Sequence, residues 1–239
     1  MAKSKIIKDL ANNTVELATC LKRAKVLLVD LDDVDIIDWI NHELSGYSDA
    51  DELPQYRMVK GSLKGSYYKG SLASHTQWNN VSIPLGKMPK DFQDSLLTIS
   101  FTDGVSALST MYNSCHESNH SVSKPISADL FPYIANWNDD LYMIFTSLRV
   151  EVGSQILQNI ISTVESKLLD ILIELEKTFG NLDDLDIDIE SKNADEIKML
   201  KDNITIIINN NDNHIEIGND NTIRNSDIGS ENHESSRNI

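Results

Sequence analysis

Residues 154–179 read SQILQNIISTVESKLLDILIELEKTF. Leu157, Ile161, Val164, Leu168, Ile171 and Leu175 recur at alternating steps of four and three, the spacing of a helix with one apolar seam. Ile156, Ile160, Leu169, Leu172 and Ile173 widen that seam, so the helix is expected to be covered on more than one side. Ser154 is placed to cap its start and Gly180 to stop it. At about 1.5 Å per residue the helix is roughly 40 Å long, about the width of a small domain. A core helix is therefore expected, with the rest of the domain packed around it; a dedicated inter-chain coiled coil would want more heptads.

The 239 residues, 40% of them apolar, are enough for one generous domain or a domain plus a smaller piece. With 37 acids against 21 bases the net charge is −16. That balance argues against bulk phosphate binding and against an anionic membrane surface, so neither nucleic acid nor membrane is expected as a partner. Two cysteines, Cys20 and Cys115, make no disulfide framework; reduced thiols in the cytoplasm are the natural expectation. The opening MAKSKIIKDLANN is not expected to be a signal peptide.

Residues 4–29 read as one first helix, with Ile7, Leu10, Leu17, Leu21, Ala24 and Leu28 inward and Lys8, Asp9, Asn12, Glu16, Lys22 and Arg23 wet. In the acid-rich LVDLDDVDIID (28–38), Asp32 and Asp33 are expected to cap a second helix, with Asp35 and Asp38 facing water; the alternative is a divalent-cation cluster. That helix runs through Trp39, Ile40 and Leu44 to Gly46. The loop that follows ends in Tyr56 and Arg57, whose planar fork suits a carboxylate such as Glu43 or Glu52 or, alternatively, a ligand.

Three passages in order resemble the AbiTii domain of bacterial abortive-infection proteins: the helix ending LATCLKRAKVLL, then W-I-N-H-E-L-S-G-Y followed by E-L-P-Q-Y-R, then VESKLLDILIELEK. The likeness spans roughly residues 5–180, and the middle passage is its most specific part. It implies bacterial defence against phage and brings no catalytic motif. The residues that carry it are Trp39, Glu43, Leu44, Gly46, Tyr47, Leu53, Pro54, Tyr56 and Arg57, expected to be structural or partner-binding.

In residues 58–88, Gly61, Gly65 and Gly70 punctuate irregular strands. Lys60, Lys64 and Lys69 interleave with Tyr67 and Tyr68. They could stack bases and touch phosphates, or be lysines on the edge of a hairpin that block edge pairing. Phe92, Leu96, Leu97 and Ile99 suggest one helix, and Val105, Ala107, Leu108 and Met111 another. His116, Glu117 and His120 form a literal H-E-x-x-H, which on a helix would set two imidazoles for zinc beside a glutamate base. The polar flanks and the absence of a third histidine at the extended spacing make it a weak metal candidate. Residues 127–140 read as a connection, and SLRVEV (147–152) as a strand.

Past Gly180, residues 181–202 read as an acidic linker, with Asp183, Asp184, Asp186 and Asp188 a weaker metal candidate. In 203–229, Ile204, Ile206, Ile208, Ile215, Ile217, Ile223 and Ile228 suggest short β rungs between asparagine turns. So few rungs cannot bury an isoleucine face alone, so this tail is expected to assemble copies of the protein. Residues 230–239 are expected to be disordered.

The expected fold is mainly α with a minor β component (α+β): a helical domain over 1–180 organised on its long last helix, and a short solenoid-like β tail. The expected function is antiviral abortive infection through protein interaction and self-assembly, with a phage or host protein as a further partner and no cofactor. The alternatives are a metal-dependent hydrolase or nuclease, using His116, Glu117 and His120 or the aspartates near Asp32, and a nucleotide or nucleic-acid sensor using Arg57 and the lysine–tyrosine stretch.

Overall fold

The long apolar helix forms over Gln155–Phe179 (α7) and runs through two hydrophobic cores. Leu157 and Ile160 lie in one core; Val164, Leu168, Ile171, Leu172 and Leu175 lie in the other. The seam read from the sequence is the buried face, except that Ile161 is half-buried and Ile160 lies deeper. Gly180, at φ 86°, ends the helix as expected, whereas Ser154 is helical in its own backbone and makes no side-chain cap.

The structure, a computed structural model, describes residues 3–71, 74–118, 120–140 and 142–210. The chain divides into two units, Met1–Asn209 and Asn210–Ile239, and the account below is of the first. At 56% helix and 18% strand it is a mixed α+β chain dominated by helix. Among the described residues no helix is long and apolar enough to cross a membrane.

The helical core is built from α1 (Lys5–Ala11), α2 (Leu17–Leu28), α3 (Val34–Ser45), the later turns of α7, and α8 (Ala194–Asn209). The single first helix expected over 4–29 is in fact two. Asn13 takes a positive φ of 52°, and Thr14 donates to the Asp9 carbonyl at 3.2 Å, so the chain folds back. The fold-back brings Arg23 to within 2.8 Å of Asp9. Asp9 is therefore buried against Lys5 and Arg23 rather than wet, and hydrogen bonds from those two bases hold its carboxyl below the usual range.

The second core lies under a four-stranded antiparallel sheet of β2 (Ser62–Ser71), β3 (Ser74–Ser82), β5 (Val122–Pro125) and β6 (Met143–Val152). Its order is β3-β2-β6-β5. Tyr67 sits in register with Trp78 on one side and Phe145 on the other, its ring 5.0 Å and 5.8 Å from theirs. Such cross-strand aromatic pairs hold a sheet's register. A small second ladder pairs β1 (Met58–Lys60) with β4 (Thr98–Ser100). The remaining helices are α4 (Lys90–Leu97), α5 (Val105–Ser118) and α6 (Phe131–Trp137).

Several expectations are corrected. Ile99 is a strand residue paired with Val59, not the end of a helix. Residues 127–140 include α6, which buries Ile134 and Ala135. Residues 181–202 are no solvated linker, because Leu182, Ile187 and Leu200 are buried in the helical core. Ile204, Ile206 and Ile208 are in α8, not in a β rung. Ile204 is fully buried and Ile208 packs on the core, while Ile206 is exposed. Their alternation also fits a helix whose wider face packs on α7, and a short apolar run does not separate the two periods. Ile215, Ile217, Ile223 and Ile228, and the end 230–239, lie outside the described residues.

Candidate functional site: a buried arginine–glutamate cluster

Asp33 caps α3, accepting the Ile36 amide at 3.3 Å, and Gly46 ends it at φ 96°. Trp39 and Glu43, four apart, therefore share one face of α3. After the loop, Pro54 opens a single 3₁₀ turn over Gln55–Arg57, which aims Tyr56 and Arg57 back at that face. Arg57 Nη2 meets Glu43 Oε2 at 2.6 Å, and Nε meets Oε1 at 3.2 Å. Both side chains are completely buried. Of the two carboxylates proposed for Arg57, the fold selects Glu43, and Glu52 is exposed.

The other end of the guanidinium binds backbone. Nη1 donates to the Phe101 carbonyl at 2.9 Å and to the Asp103 carbonyl at 2.7 Å. The remaining capacity of Glu43 goes to two phenols, since Tyr47 and Tyr56 each donate to Oε1 at 2.7 Å. The Trp39 indole donates to the Tyr56 hydroxyl at 3.3 Å, and the Tyr47 ring lies 4.9 Å from the guanidinium carbon. Among the described residues no buried side-chain nitrogen or oxygen lacks a partner.

The electrostatics follow from this closure. Burial raises the pKa of both phenols, and the charge of Glu43 raises them further. Burial pulls Arg57 down, but the bond to Glu43 outweighs it and the guanidinium ends above its ordinary value. A cluster with these properties is closed to solvent, its arginine and glutamate fully buried and bonded to each other, to two phenols and to backbone. Its chemistry is that of a clamp: Glu43 belongs to the helical layer, Phe101 to the core under the sheet, and Tyr56 packs on both cores.

Two glycines let the backbones come this close. A side-chain carbon on Gly46 would sit 2.7 Å from the Thr102 carbonyl, and one on Gly104 would sit 2.4 Å from the Leu44 carbonyl. Leu44, Leu53 and Pro54 are half-buried around the clamp. Lys167 is a site residue that the sequence motifs do not include. It is nearly buried on α7, lies 5.6 Å from the Tyr56 ring, and donates to the Ile207 carbonyl of α8 at 2.8 Å. A lone lysine in a helix seam was the available signal, and its position between Val164 and Leu168 is where it could have been found.

The other candidates are not brought together. α5 ends at Ser118, so His116 is in its last turn and His120 lies beyond it. The H-E-x-x-H pentapeptide therefore does not put both imidazoles on one helix face, and His116 instead stacks on Tyr112 at 5.7 Å. Among the described residues no group of three or more His, Cys, Asp or Glu is placed to share a metal ion. Asp35 and Asp38 face water as expected, and Asp32 closes a 3₁₀ turn at φ 49° rather than capping α3. Asp183 accepts the Lys5 amide at 2.5 Å, and Asp188 caps its own turn. Lys60, Lys64 and Lys69 pair with Asp94, Glu151 and Asp140, so the lysine–tyrosine stretch is not an open basic face. Lys64 and Lys69 also lie on the inner strand β2, not on the sheet edge.

The fold and site describe an α+β body welded at this cluster, and the family-model match identifies it as a domain of abortive-infection proteins. The AbiTii family model matches residues 4–200, and the chain belongs to that family. The match covers the clamp and extends past residue 180 into α8, as the packing of Leu182 and Leu200 requires. No curated protein matches the chain, and no solved structure does.

Proposed function

We propose that this protein acts in the cytoplasm in defence against phage as an interaction protein, without a cofactor, and that its copies assemble through the segment beyond Asn210. The family supports the abortive-infection role. One observation carries the non-catalytic reading of the family motif: four N–H donors of Arg57 are engaged by Glu43, Phe101 and Asp103 at complete burial. A residue so held cannot reach a substrate without dismantling the two cores. The motif then serves to present a rigid body, and a phage or host protein is the partner that body meets.

Assembly rests on Ile215, Ile217, Ile223 and Ile228, which alternate or recur among asparagines in a run too short to shelter them alone. The test replaces all four by Asn in the full chain. Mass in solution and plating efficiency of phage on expressing cells are then read together. A smaller particle with loss of protection is expected. An unchanged particle defeats the role of the tail, and full protection by a monomeric variant defeats assembly as the mode of action.

A further inference from the structure

Between Lys69 and Lys87 the sequence GSLASHTQWNNVSIPLG carries no Asp, Glu, Lys or Arg, in a chain of net charge −16. The fold places β3 inside that run and at one end of the sheet order. His75, Thr76 and Gln77 are exposed and Trp78 half-exposed. An end strand presents a row of backbone donors and acceptors, and proteins ordinarily guard it with lysines, prolines or bulges. The lysines of this hairpin are on β2, and β3 has no proline. The register slips between Trp78 and Val81, where Asn80 takes φ 49° and donates its amide to Ser66 Oγ at 3.1 Å. The unguarded stretch is therefore Ser74–Trp78.

We infer that Ser74–Trp78 pairs antiparallel with the same strand of a second copy, joining two sheets across a two-fold axis centred near Thr76. The charge pattern selects this occupant. Two copies at −16 repel, and that repulsion is least where neither brings a local charge. Hydroxyl and amide side chains both donate and accept, so Thr76 is compatible with its own image across the axis and Gln77 with the His75 it faces. Five residues make a contact of the small class, under about 1,200 Å², so the pairing is weak and concentration-dependent. It is separate from the proposed assembly through the segment beyond Asn210.

The experiment is sedimentation of the full chain over a wide concentration range and at two salt levels. The variants are Thr76→Asp, Gln77→Lys and the four-isoleucine tail variant. Thermal melts confirm that each is folded. The expected result is association that strengthens with salt, persists in the tail variant, and weakens at least ~10-fold in Thr76→Asp, whose charge meets its own image, and less in Gln77→Lys, whose two charges are diagonal neighbours across the axis. Hydrogen exchange at residues 75–78 should slow as concentration rises. A chain that stays monomeric, association indifferent to both β3 variants, or amides at 75–78 that exchange alike at all concentrations each overturn the pairing. Association lost only in the tail variant overturns it too, while leaving the tail reading intact.

Discussion

Arg57 and Glu43 meet at 2.6 Å with neither side chain exposed, one from the 3₁₀ turn before β1 and the other from the last turns of α3. Removing one partner of such a pair leaves a buried charge alone and costs about 3–5 kcal/mol. Arg57→Met and Glu43→Gln should each lose stability on that scale in urea unfolding. Arg57→Lys should not rescue it, because an ammonium cannot span Glu43, Phe101 and Asp103 together. A variant that kept full stability but lost phage protection would instead give Arg57 a role beyond the clamp.

Gly104 sits under the Leu44 carbonyl with no room for a methyl group. Gly104→Ala must push α3 away from the 101–104 segment and stretch the Arg57 contacts. Strain of this kind costs about 1–3 kcal/mol, to be read as a lowered unfolding midpoint. Gly180→Ala meets no neighbour, and its cost is confined to the backbone conformation at positive φ, about 1–3 kcal/mol.

Lys167 ties the last turn of α8 to α7. Lys167→Met keeps the stem that packs near Tyr56 but removes the donor to Ile207, a loss of about 1 kcal/mol. Faster amide exchange over 203–209, with little change in α2 and α3, is the expected signature.

Glu176 accepts from the Ser4 amide, the Ser4 hydroxyl and Lys3, each at 2.6 Å. Burial works to raise its pKa, but these donors prevail and hold it at about 2. The folded value lies below the unfolded one, so the stabilisation is complete above the unfolded pKa of 4.5 and is lost as pH falls toward 2. Glu176→Gln should therefore be less stable than the parent near neutral pH, by up to about 3 kcal/mol, with the gap closing between pH ~4.5 and ~2. A gap that widened on acidification would contradict the assignment.

The paired variant His116→Ala/His120→Ala should keep both stability and phage protection, because α5 ends between the two imidazoles. Stoichiometric zinc in protein purified without chelators, lost in the variant, would show otherwise.

The long helix, the cap at Asp33, the stop at Gly46 and the pairing of Arg57 with a carboxylate were all legible in the sequence. Each is a local matter of periodicity, backbone conformation or a charge that cannot be buried alone. The helix over 194–209 was not legible, because Ile204, Ile206 and Ile208 fit two periods at once, and the partner that decides between them is α7, far away in the chain. The same holds for Asp9, wet by helical spacing yet buried once the turn at Asn13 brings Arg23 to it.

By itself the sequence determined which segments are amphipathic, where helices stop and which family the motif belongs to, because these depend on neighbours a few residues apart. Only the tertiary structure decided that Glu43, rather than Glu52, closes on Arg57. It also decided that Phe101 and Asp103 complete the clamp, that the hairpin lysines lie inside the sheet and that its open edge is uncharged. Those outcomes depend on strand order and on backbone carbonyls, which every residue carries alike and which no pattern of side chains marks in advance.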